Sequence, residues 1–460
     1  MKKMILVVMA VFLMSGMASA ATTLDLKGQV RVYPEWNNIG RSAGSIPDYL
    51  PGSSYLPASK SSGSIFTDQR ARLFFNVKSN ENIGGTVALE IDSYWGNTSY
   101  DSGRQTGGGL GADSANVEIK NSYLWFTAGD LKITAGIQTF LDDMAGIFVG
   151  GGDMAGFRVD YALSKTSSLS TGVYTWWESQ ATSAGTTKQW KDSVYFIPLT
   201  VKQQLGSGTG SLFVYTIQDS TKGSTGLTAT QGRRPLAQYD KAQIYYTGFN
   251  YGGKAGNVSY YLMGAYNFGT FKDIVTATTD DKKISAFAVN AKVDVKIGDG
   301  KLRLNGLYVS GGDSTDKDKY NGFVTGEQYA GAQVMPLLQD DLVIIIGNTD
   351  QISNVTTLAV DVNNNNDGLQ VAYGAFDYNL SPKLNAKAVL GYASADKQNS
   401  VARLGKKMGM EYNAQLKYKF DENLTIAGVG SYAQIGDYFK TAAFDADNAY
   451  KLLLKFMYSF

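Results

Sequence analysis

The sequence contains no cysteine and no histidine in 460 residues. Without cysteine there is no disulfide, no thiol nucleophile and no thiolate ligand for a metal. Without histidine there is no His-dependent catalytic triad, and no imidazole ligand for zinc or haem. No Ser–Lys or paired-carboxylate motif takes their place. The sequence therefore predicts that the protein is not an enzyme.

Proline is also scarce, with 8 residues against 52 glycines, while aromatic residues make up 12% of the chain. After the first twenty residues no segment approaches 18 consecutive apolar residues, so no transmembrane helix is predicted there. Lys and Arg total 42 against 41 Asp and Glu, a net charge of +1, which predicts no binding to nucleic acid. This composition is typical of a large antiparallel β protein.

The first twenty residues are typical of a secretory signal. Lys2-Lys3 precede an apolar core over Ile5–Met14, and Ala18–Ala20 is a cleavage site of small residues. The apolar core is too short to span a membrane well, which argues against an uncleaved anchor helix. The sequence therefore predicts a signal peptide over residues 1–20 and a single domain over residues 21–460.

Alternation of apolar and polar residues with a period of two dominates the remaining chain. LDLKGQVRVY at 24–33 and RARLFFNV at 70–77 are two examples. A length of about ten residues with this period is typical of membrane-spanning β-strands. Eighteen strands are predicted, with sixteen as the next choice. They are roughly 24–35, 68–78, 84–95, 117–128, 131–140, 154–163, 168–178, 191–204, 210–219, 240–251, 256–268, 284–297, 301–310, 368–380, 384–394, 408–420, 424–435 and 449–460.

The predicted connections alternate in length. Short turns such as Gly129–Asp130 and Gly298–Gly300 alternate with longer loops such as 141–153 and 311–367. Outer-membrane barrels have short periplasmic turns and long external loops. A soluble β-sandwich fits less well, because it rarely needs so many antiparallel strands. The predicted fold class is all-β, a transmembrane antiparallel β-barrel.

The last predicted strand carries a resemblance to a known family. Counting back from Phe460 in steps of two gives Tyr458, Phe456, Leu454 and Leu452, an unbroken apolar and aromatic register. This end resembles the assembly signal of Gram-negative outer-membrane proteins. With the signal peptide and the loop plan, the mature chain resembles the outer-membrane porins. The resemblance implies an outer-membrane location, surrounding membrane lipid, insertion by the barrel-assembly machinery and a homotrimer, with Phe456, Tyr458 and Phe460 as the barrel-closing signal.

A barrel of sixteen to eighteen strands leaves an aqueous channel, so function is expected in the lumen. Resemblance to porins implies that loop 141–153 folds inward as a constriction. The predicted function is passive diffusion of ions and small hydrophilic solutes through the channel. Two alternatives stay open, namely a substrate-selective channel and a barrel that sheathes a partner such as a multihaem cytochrome.

Charged residues on the polar registers and in loop 141–153 are the candidates for the pore lining. Fixed charges along a pore select ions, and arginines facing acids across a gap would set a transverse field. The alternative is that the arginines pair with acids on neighbouring strands. The predicted pore-lining and constriction residues are Arg31, Arg70, Arg72, Glu90, Asp92, Glu118, Lys120, Asp142, Asp143, Asp153, Arg158 and Asp160.

A calcium site is one interpretation of the stretch DVNNNNDG. It places Asp361, Asn363, Asn365 and Asp367 at every second position, which resembles the opening of an oxygen-ligand calcium loop. The stretch lacks the glycine expected at its sixth place, and a plain polar surface loop is the alternative. No other cofactor is predicted.

The predicted loop 311–367, which contains this stretch, also contains an apolar run, Leu342–Ile346, with the sequence LVIII. Such a run is not typical of a solvated loop, because it would expose five apolar side chains to water. It predicts either an external hairpin packed on the rim of the barrel or a plug that reaches into the lumen.

Overall fold

A computed structural model describes most of the chain outside the predicted signal peptide, which lies beyond the described residues. The described residues are 22–39, 63–98, 107–110, 116–178, 193–220, 239, 241–272, 281–313, 316, 318–330, 341–346, 352, 357–359, 362–364, 366–399, 403–442 and 445–460.

Eighteen long antiparallel strands build a closed barrel, as predicted. Strand β14 (Lys319–Tyr320) is short and pairs in parallel with Lys283 and Ile284, so it is not one of the eighteen. Two helical pieces occur among the described residues, α1 (Glu327–Ala330) and a 3-10 turn at Asp437–Phe439. The barrel strands are β1 (Thr23–Asn37), β2 (Ser64–Asn80), β3 (Ile83–Tyr94), β4 (Val117–Ala128), β5 (Leu131–Phe140), β6 (Gly152–Ala162), β7 (Ser167–Glu178), β8 (Ser193–Leu205), β9 (Gly208–Asp219), β10 (Lys241–Ala255), β11 (Val258–Lys272), β12 (Lys282–Ile297), β13 (Gly300–Val309), β15 (Leu369–Asn379), β16 (Leu384–Ser394), β17 (Lys407–Lys419), β18 (Leu424–Ile435) and β19 (Ala449–Ser459).

Each barrel strand pairs with its neighbours along the chain, and β1 closes the ring with β19. In this closing pair Val32 lies opposite Phe456. The N–H of Gly28 donates to the carbonyl of Phe460 at 2.9 Å, and the N–H of Phe460 donates back at 3.0 Å. Every barrel strand is therefore paired on both sides, which a strand in lipid requires.

The two faces of each strand differ in character. On β19 the side chains of Leu452 and Phe456 are 46% and 38% exposed, whereas those of Lys451 and Lys455 are 2% and 1% exposed. The apolar register thus faces outward and the charged register faces the lumen. An outward apolar surface on a closed barrel is what a membrane-spanning β-barrel presents to lipid.

The two ends of the barrel differ as predicted. One end carries only short turns of two to four residues, and the other end carries the long connections. No helix in the described part of the chain is long and apolar enough to cross a membrane. The short turns are residues 81–82, 129–130, 163–166, 206–207, 256–257, 298–299, 380–383 and 420–423.

The buried apolar core lies inside the barrel. Inward side chains such as Phe196 and Tyr246 contribute to it, and so do side chains from two long connections, among them Phe148 and Ile344. The interior of the barrel is therefore partly filled by segments that are not barrel strands.

Gly269 in β11 provides a test of the barrel geometry. Its φ is +142°, and a Cβ added there would lie 2.0 Å from the carbonyl oxygen of Gln243. We expect Gly269→Ala to lower the free energy of unfolding by roughly 1–3 kcal/mol, the usual cost of such backbone strain. Denaturant unfolding of the refolded barrel in detergent, followed by tryptophan fluorescence, measures the change.

Gly306→Ala in β13 is the matched control, since a Cβ added there meets nothing within 4 Å. We expect its unfolding free energy to lie within about 0.5 kcal/mol of the parent protein. Equal stability of the two variants would contradict the close approach of β10 to Gly269.

Candidate channel lumen

The connection between β5 and β6, residues 141–151, winds around the carboxylate of Asp142. That carboxylate accepts backbone hydrogen bonds from Met144 at 2.8 Å, Gly146 at 2.7 Å, Phe148 at 3.0 Å and Val149 at 2.6 Å. The loop backbone has no strand partner, so this carboxylate satisfies donors that would otherwise be buried without an acceptor.

The 141–151 loop lies against the inner wall of the barrel. The ring of Phe148 is fully buried and packs on Tyr246 at a centroid distance of 4.8 Å, on Phe196 at 5.3 Å and on Tyr215 at 5.6 Å. Trp176 lies 6.1 Å from the same ring. These partners come from β7, β8, β9 and β10, so the loop covers that arc of the wall from inside.

Asp143 fixes the loop to this wall by polar contacts. Its carboxylate accepts hydrogen bonds from Thr200 at 2.8 Å and Tyr215 at 3.1 Å, and it pairs with Lys202 at 2.9 Å. The side-chain amide of Asn250 donates to the Asp143 carbonyl at 2.7 Å. Asp142 organises the loop, and Asp143 docks it.

Burial raises the pKa of the Asp142 carboxyl to about 6, although its four backbone hydrogen bonds act in the opposite direction. Desolvation prevails because the group is enclosed by its own loop. Asp142 is therefore a loop carboxyl that can take up a proton at mildly acidic pH.

The connection between β13 and β15 also enters the lumen, and it lies on a different part of the inner wall. Residues 341–346, called the inserted segment, include the fully buried Ile344. Glu411 on β17 accepts hydrogen bonds from three consecutive backbone N–H groups, those of Val343 at 2.5 Å, Ile344 at 3.1 Å and Ile345 at 2.7 Å. Lys451 on β19 donates to the carbonyl of Val343 at 3.0 Å.

Asp341 begins the inserted segment and reaches deep into the barrel. Its carboxylate contacts Arg303 at 2.8 Å and Lys387 at 3.0 Å. These two cations lie three residues past the starts of β13 and β16, at the short-turn end. The apolar run therefore lies in the lumen and is not an external hairpin on the rim.

The two cations keep Asp341 ionised. Burial alone would raise its pKa, but Lys387 and Arg303 outweigh that effect and hold the pKa of Asp341 below its ordinary value. Arg303 is itself fixed by Asp294 on β12, with atom pairs at 2.8 and 3.2 Å. The side-chain amide of Asn413 also donates to the Asp341 carbonyl at 2.6 Å.

The predicted pore-lining residues on β2, β3 and β4 lie together. Arg70 pairs with Asp92 at 2.6 Å and with Glu90 at 3.3 Å, and Arg72 pairs with Glu90. Glu118 on β4 lies opposite Glu90 on β3 in the strand register. The arginines of this group thus contact acids on the adjacent strand.

The other predicted residues are distributed along the same side of the wall. Lys120 pairs with Asp153 at 2.7 Å, and Arg158 pairs with Asp160 at 2.8 Å. Arg31 donates to the side chain of a neighbouring glutamine on β1 at 2.6 Å. The predicted set therefore forms several local groups on β1 to β4 and on β6, separate from Asp142 and Asp143 in the loop.

The residues that hold the inserted segment were not predicted. Arg303, Lys387, Glu411 and Lys451 each occupy the polar register of an alternating strand, which is the signal that could have found them. Asp341 directly precedes the apolar run Leu342–Ile346, and this position in the sequence could have identified Asp341 as the anchor of the run.

The predicted calcium stretch is only partly described, because Asp361 and Asn365 lie outside the described residues. Asn363 is buried, and the Tyr438 hydroxyl donates to the carboxylate of Asp367 at 2.7 Å. Within the described ranges, no group of three or more acidic residues is placed to hold a metal ion. The calcium site stays a prediction.

A polar cavity of about 510 Å³ lies at the short-turn end of the barrel. Its lining combines lysines with aspartates in equal number and includes several amides. Asp294, which pairs with Arg303, is part of that lining. The charged lining residues are Lys296, Lys301, Lys417, Asp294, Asp299 and Asp377.

No protein-family model matches the sequence, and no curated protein matches it. Solved structures do match. OccAB4 of Acinetobacter baumannii aligns at a TM-score of 0.52 and 12% identity, over 96% of this chain and 100% of that one. OpdL of Pseudomonas aeruginosa gives 0.54 and 11%, over 95% and 98%. A BenF-like porin from Pseudomonas fluorescens Pf-5 gives 0.52 and 10%, over 95% and 98%.

The fold is that of an outer-membrane porin. The similarity to these structures confirms the predicted β-barrel class. At 10–12% sequence identity it is evidence for the fold alone. Together with the apolar outer surface it supports the predicted location, in an outer membrane that the strands span. Within this porin fold, the 141–151 loop and the inserted segment cover opposite arcs of the inner wall.

Replacing Asp142 tests how the 141–151 loop is held. Asp142→Ala removes the acceptor of four backbone N–H groups, so we expect the loop to open more often. Amide hydrogen exchange over residues 144–149 should accelerate by roughly 10- to 100-fold, the effect of losing hydrogen bonds to a charged group. Asp130→Ala in the exposed turn between β4 and β5 is the control, and an equal change in both variants would contradict the anchoring role.

The raised pKa of Asp142 predicts a pH dependence. The packed loop binds a proton more readily than a solvated loop, whose carboxyl titrates near 3.9, so acidification favours the packed state. Exchange of residues 144–149 should therefore slow as the pH falls from 7 to 5, after correction for the intrinsic exchange rate. Asp142→Ala should lose this dependence, and a residual slope of the same size would assign it to another group.

Proposed function

We propose that the protein is an outer-membrane channel through which ions and small hydrophilic solutes diffuse passively. The observation that carries this proposal is a closed barrel of eighteen strands with charged side chains on its inner wall and apolar side chains outside. A ring of that size is too wide for its own side chains to fill. The charged part of the inner wall, on β1 to β6, offers a route for water and dissolved solutes beside the apolar core.

The 141–151 loop and the inserted segment are proposed to narrow this route. The loop packs on β7 to β10, and the segment contacts β13, β16, β17 and β19. The arc from β1 to β6 then borders the passage, except around Arg70 on β2, whose guanidinium donates to the carbonyl of Ile352 in the same long connection at 2.7 Å. Side chains there are partly exposed, among them Lys120 at 18% and Arg158 at 38%.

The charges on this arc support a weakly selective passage. Arg72, Lys120 and Arg158 each lie beside a carboxylate of the adjoining wall, so positive and negative charge alternate over short distances. Selection by sign needs an excess of one charge at the narrowest point. A general channel for small polar solutes fits this pattern better than a strongly cation- or anion-selective one.

The segments inside the lumen argue against the alternative in which the barrel surrounds a partner protein. Buried residues of two connections, such as Phe148 and Ile344, already occupy its inner wall. A cytochrome inside the barrel would have to displace both. A solute channel requires no such rearrangement, so it is the better-supported function.

Single-channel recording in a planar lipid bilayer tests the proposal. We expect refolded protein to give steady current steps, and steps grouped in threes would support the homotrimer that resemblance to porins implies. Asp143→Ala removes the side-chain contacts of the loop with Thr200 and Lys202 and one of its two hydrogen bonds with Tyr215, so it should raise the conductance by roughly twofold as the passage widens.

Asp130→Ala serves again as the control, and its conductance should equal that of the parent protein. Heat-dependent migration on a gel verifies that each variant is folded. A folded and inserted barrel that passes no current would overturn the channel proposal, and an unchanged conductance in Asp143→Ala would remove the 141–151 loop from the constriction.

A further inference from the structure

We infer that Lys241, Lys272 and Lys283 form a docking site on the outer face of the barrel for a lipid whose headgroup carries phosphate groups. The three lysines lie at the long-loop end, which is the external end of an outer-membrane barrel. A lipid of the outer leaflet is therefore the occupant. The inference goes beyond the channel proposal, because it concerns the lipid-facing surface and not the lumen.

The three lysines lie on the outward register of adjacent strands, and their side chains are exposed. Each lies four residues from an aromatic residue of the outer surface, and an even spacing places both side chains on the same face of a strand. The lysines therefore project from the barrel wall just beyond its lipid-facing aromatic residues. The pairs are Lys241 and Tyr245 on β10, Lys272 and Phe268 on β11, and Lys283 and Phe287 on β12.

The strand register brings these like charges together. Lys241 lies directly opposite Lys272 in the pairing of β10 with β11. Lys283 lies opposite Thr270, two residues before Lys272, so these two lysines are diagonal neighbours. On its other side Lys283 pairs with Lys319 of β14, which is also exposed. Like charges at opposite positions of a sheet repel, so the row is more stable when an anion lies between its members.

Positive charge is in excess at this edge of the outer surface. Among the described residues on the outward registers of β10, β11 and β12 and directly next to them, the one acid is Asp281, which is exposed. The carboxylate of Asp316 in the neighbouring connection accepts hydrogen bonds from the backbone N–H groups of Asp318 and Lys319, both at 2.9 Å. Three lysines against one aspartate leave a net charge that favours an anionic partner.

Aromatic rings next to the lysines suit the acyl part of a lipid. Phe268 stacks on Tyr245 at a centroid distance of 5.4 Å and on Tyr266 at 5.7 Å. The rings of Phe268 and Tyr266 are 37% and 44% exposed, and the Tyr266 hydroxyl lies 3.1 Å from that of Ser285. Aromatic belts of membrane proteins lie at the level of the headgroups. Long lysine side chains one or two rows beyond this belt can therefore reach the phosphates of the same lipids.

The arrangement favours a headgroup with more than one phosphate. Each lysine ammonium has three N–H donors and a compact positive charge, which suits a phosphate oxygen. Diagonal neighbours on adjacent strands are only about 7–8 Å apart, so one headgroup can contact two lysines at once. A zwitterionic headgroup carries its own cation and gains less from such a row.

Native mass spectrometry of the refolded barrel measures the bound lipid directly. The probe is lipid A, a glycolipid with two phosphates, titrated into the detergent solution. We expect the triple variant Lys241→Gln, Lys272→Gln and Lys283→Gln to raise the dissociation constant by roughly 100-fold, because each lysine near an anionic lipid contributes a factor of about five. Glutamine keeps the length and polarity of the side chains, and heat-dependent migration on a gel verifies that the variant is folded.

The matched control uses exposed lysines at the opposite ends of two of the same strands. Lys254→Gln on β10 combined with Lys296→Gln on β12 removes two charges at the short-turn end and should bind lipid A like the parent. An equal loss of affinity in this control, or parental affinity in the triple variant, would overturn the inference.

Two further ligands identify what the site binds. Lipid A without its phosphates should bind the parent as weakly as intact lipid A binds the triple variant. Inorganic phosphate at the concentration of the lipid should not displace it, since free phosphate makes no contact with the aromatic belt. Equal binding of both forms of lipid A would exclude phosphate recognition, and displacement by inorganic phosphate would show a plain anion site and overturn the lipid as its occupant.

Discussion

The pairing of β1 with β19 is the constraint on which the remaining structure depends. An unpaired backbone group in hydrocarbon costs several kcal/mol, so strands that span a membrane must form a ring without edges. Closure fixes which register faces lipid, and it leaves Lys451 and Lys455 inside while Leu452 and Phe456 lie outside. A ring of eighteen strands also encloses more space than its own side chains can fill. The interior is therefore available to water, solutes and inserted loops.

The inserted loops face a different problem, because their backbone donors have no strand partner. Two carboxylates inside the barrel provide the missing acceptors in different ways. Asp142 gathers four N–H groups of its own loop, and Glu411 on the wall gathers three from the inserted segment. Each ionised acceptor makes stronger hydrogen bonds than a neutral carbonyl would. A loop whose backbone donors converge on one carboxylate can respond to the loss of that single group, which a barrel ladder with its many repeated bonds cannot do.

The sequence predicted those features that alternate or repeat. The polar register of β2 and β3 even implied the pairs around Arg70, since Arg70 lies opposite Asp92 and Arg72 opposite Glu90 in the strand register. It could not predict the partners of Asp341, because a loop has no period that relates its residues to the strands it meets. The same reason explains why the four donors to Asp142 were missed although Asp142 itself was named. Where geometry follows from periodicity the sequence is informative, and where it follows from loop conformation it is not.

The placement of Lys451 has a consequence for the order of assembly. This lysine lies on β19, the last strand in the chain, yet it binds the carbonyl of Val343 in a connection that is synthesised much earlier. The inserted segment consequently cannot be fully held until the final strand has taken its position. The last strand of the chain therefore both closes the ring and completes the contacts that hold residues 341–346 inside it.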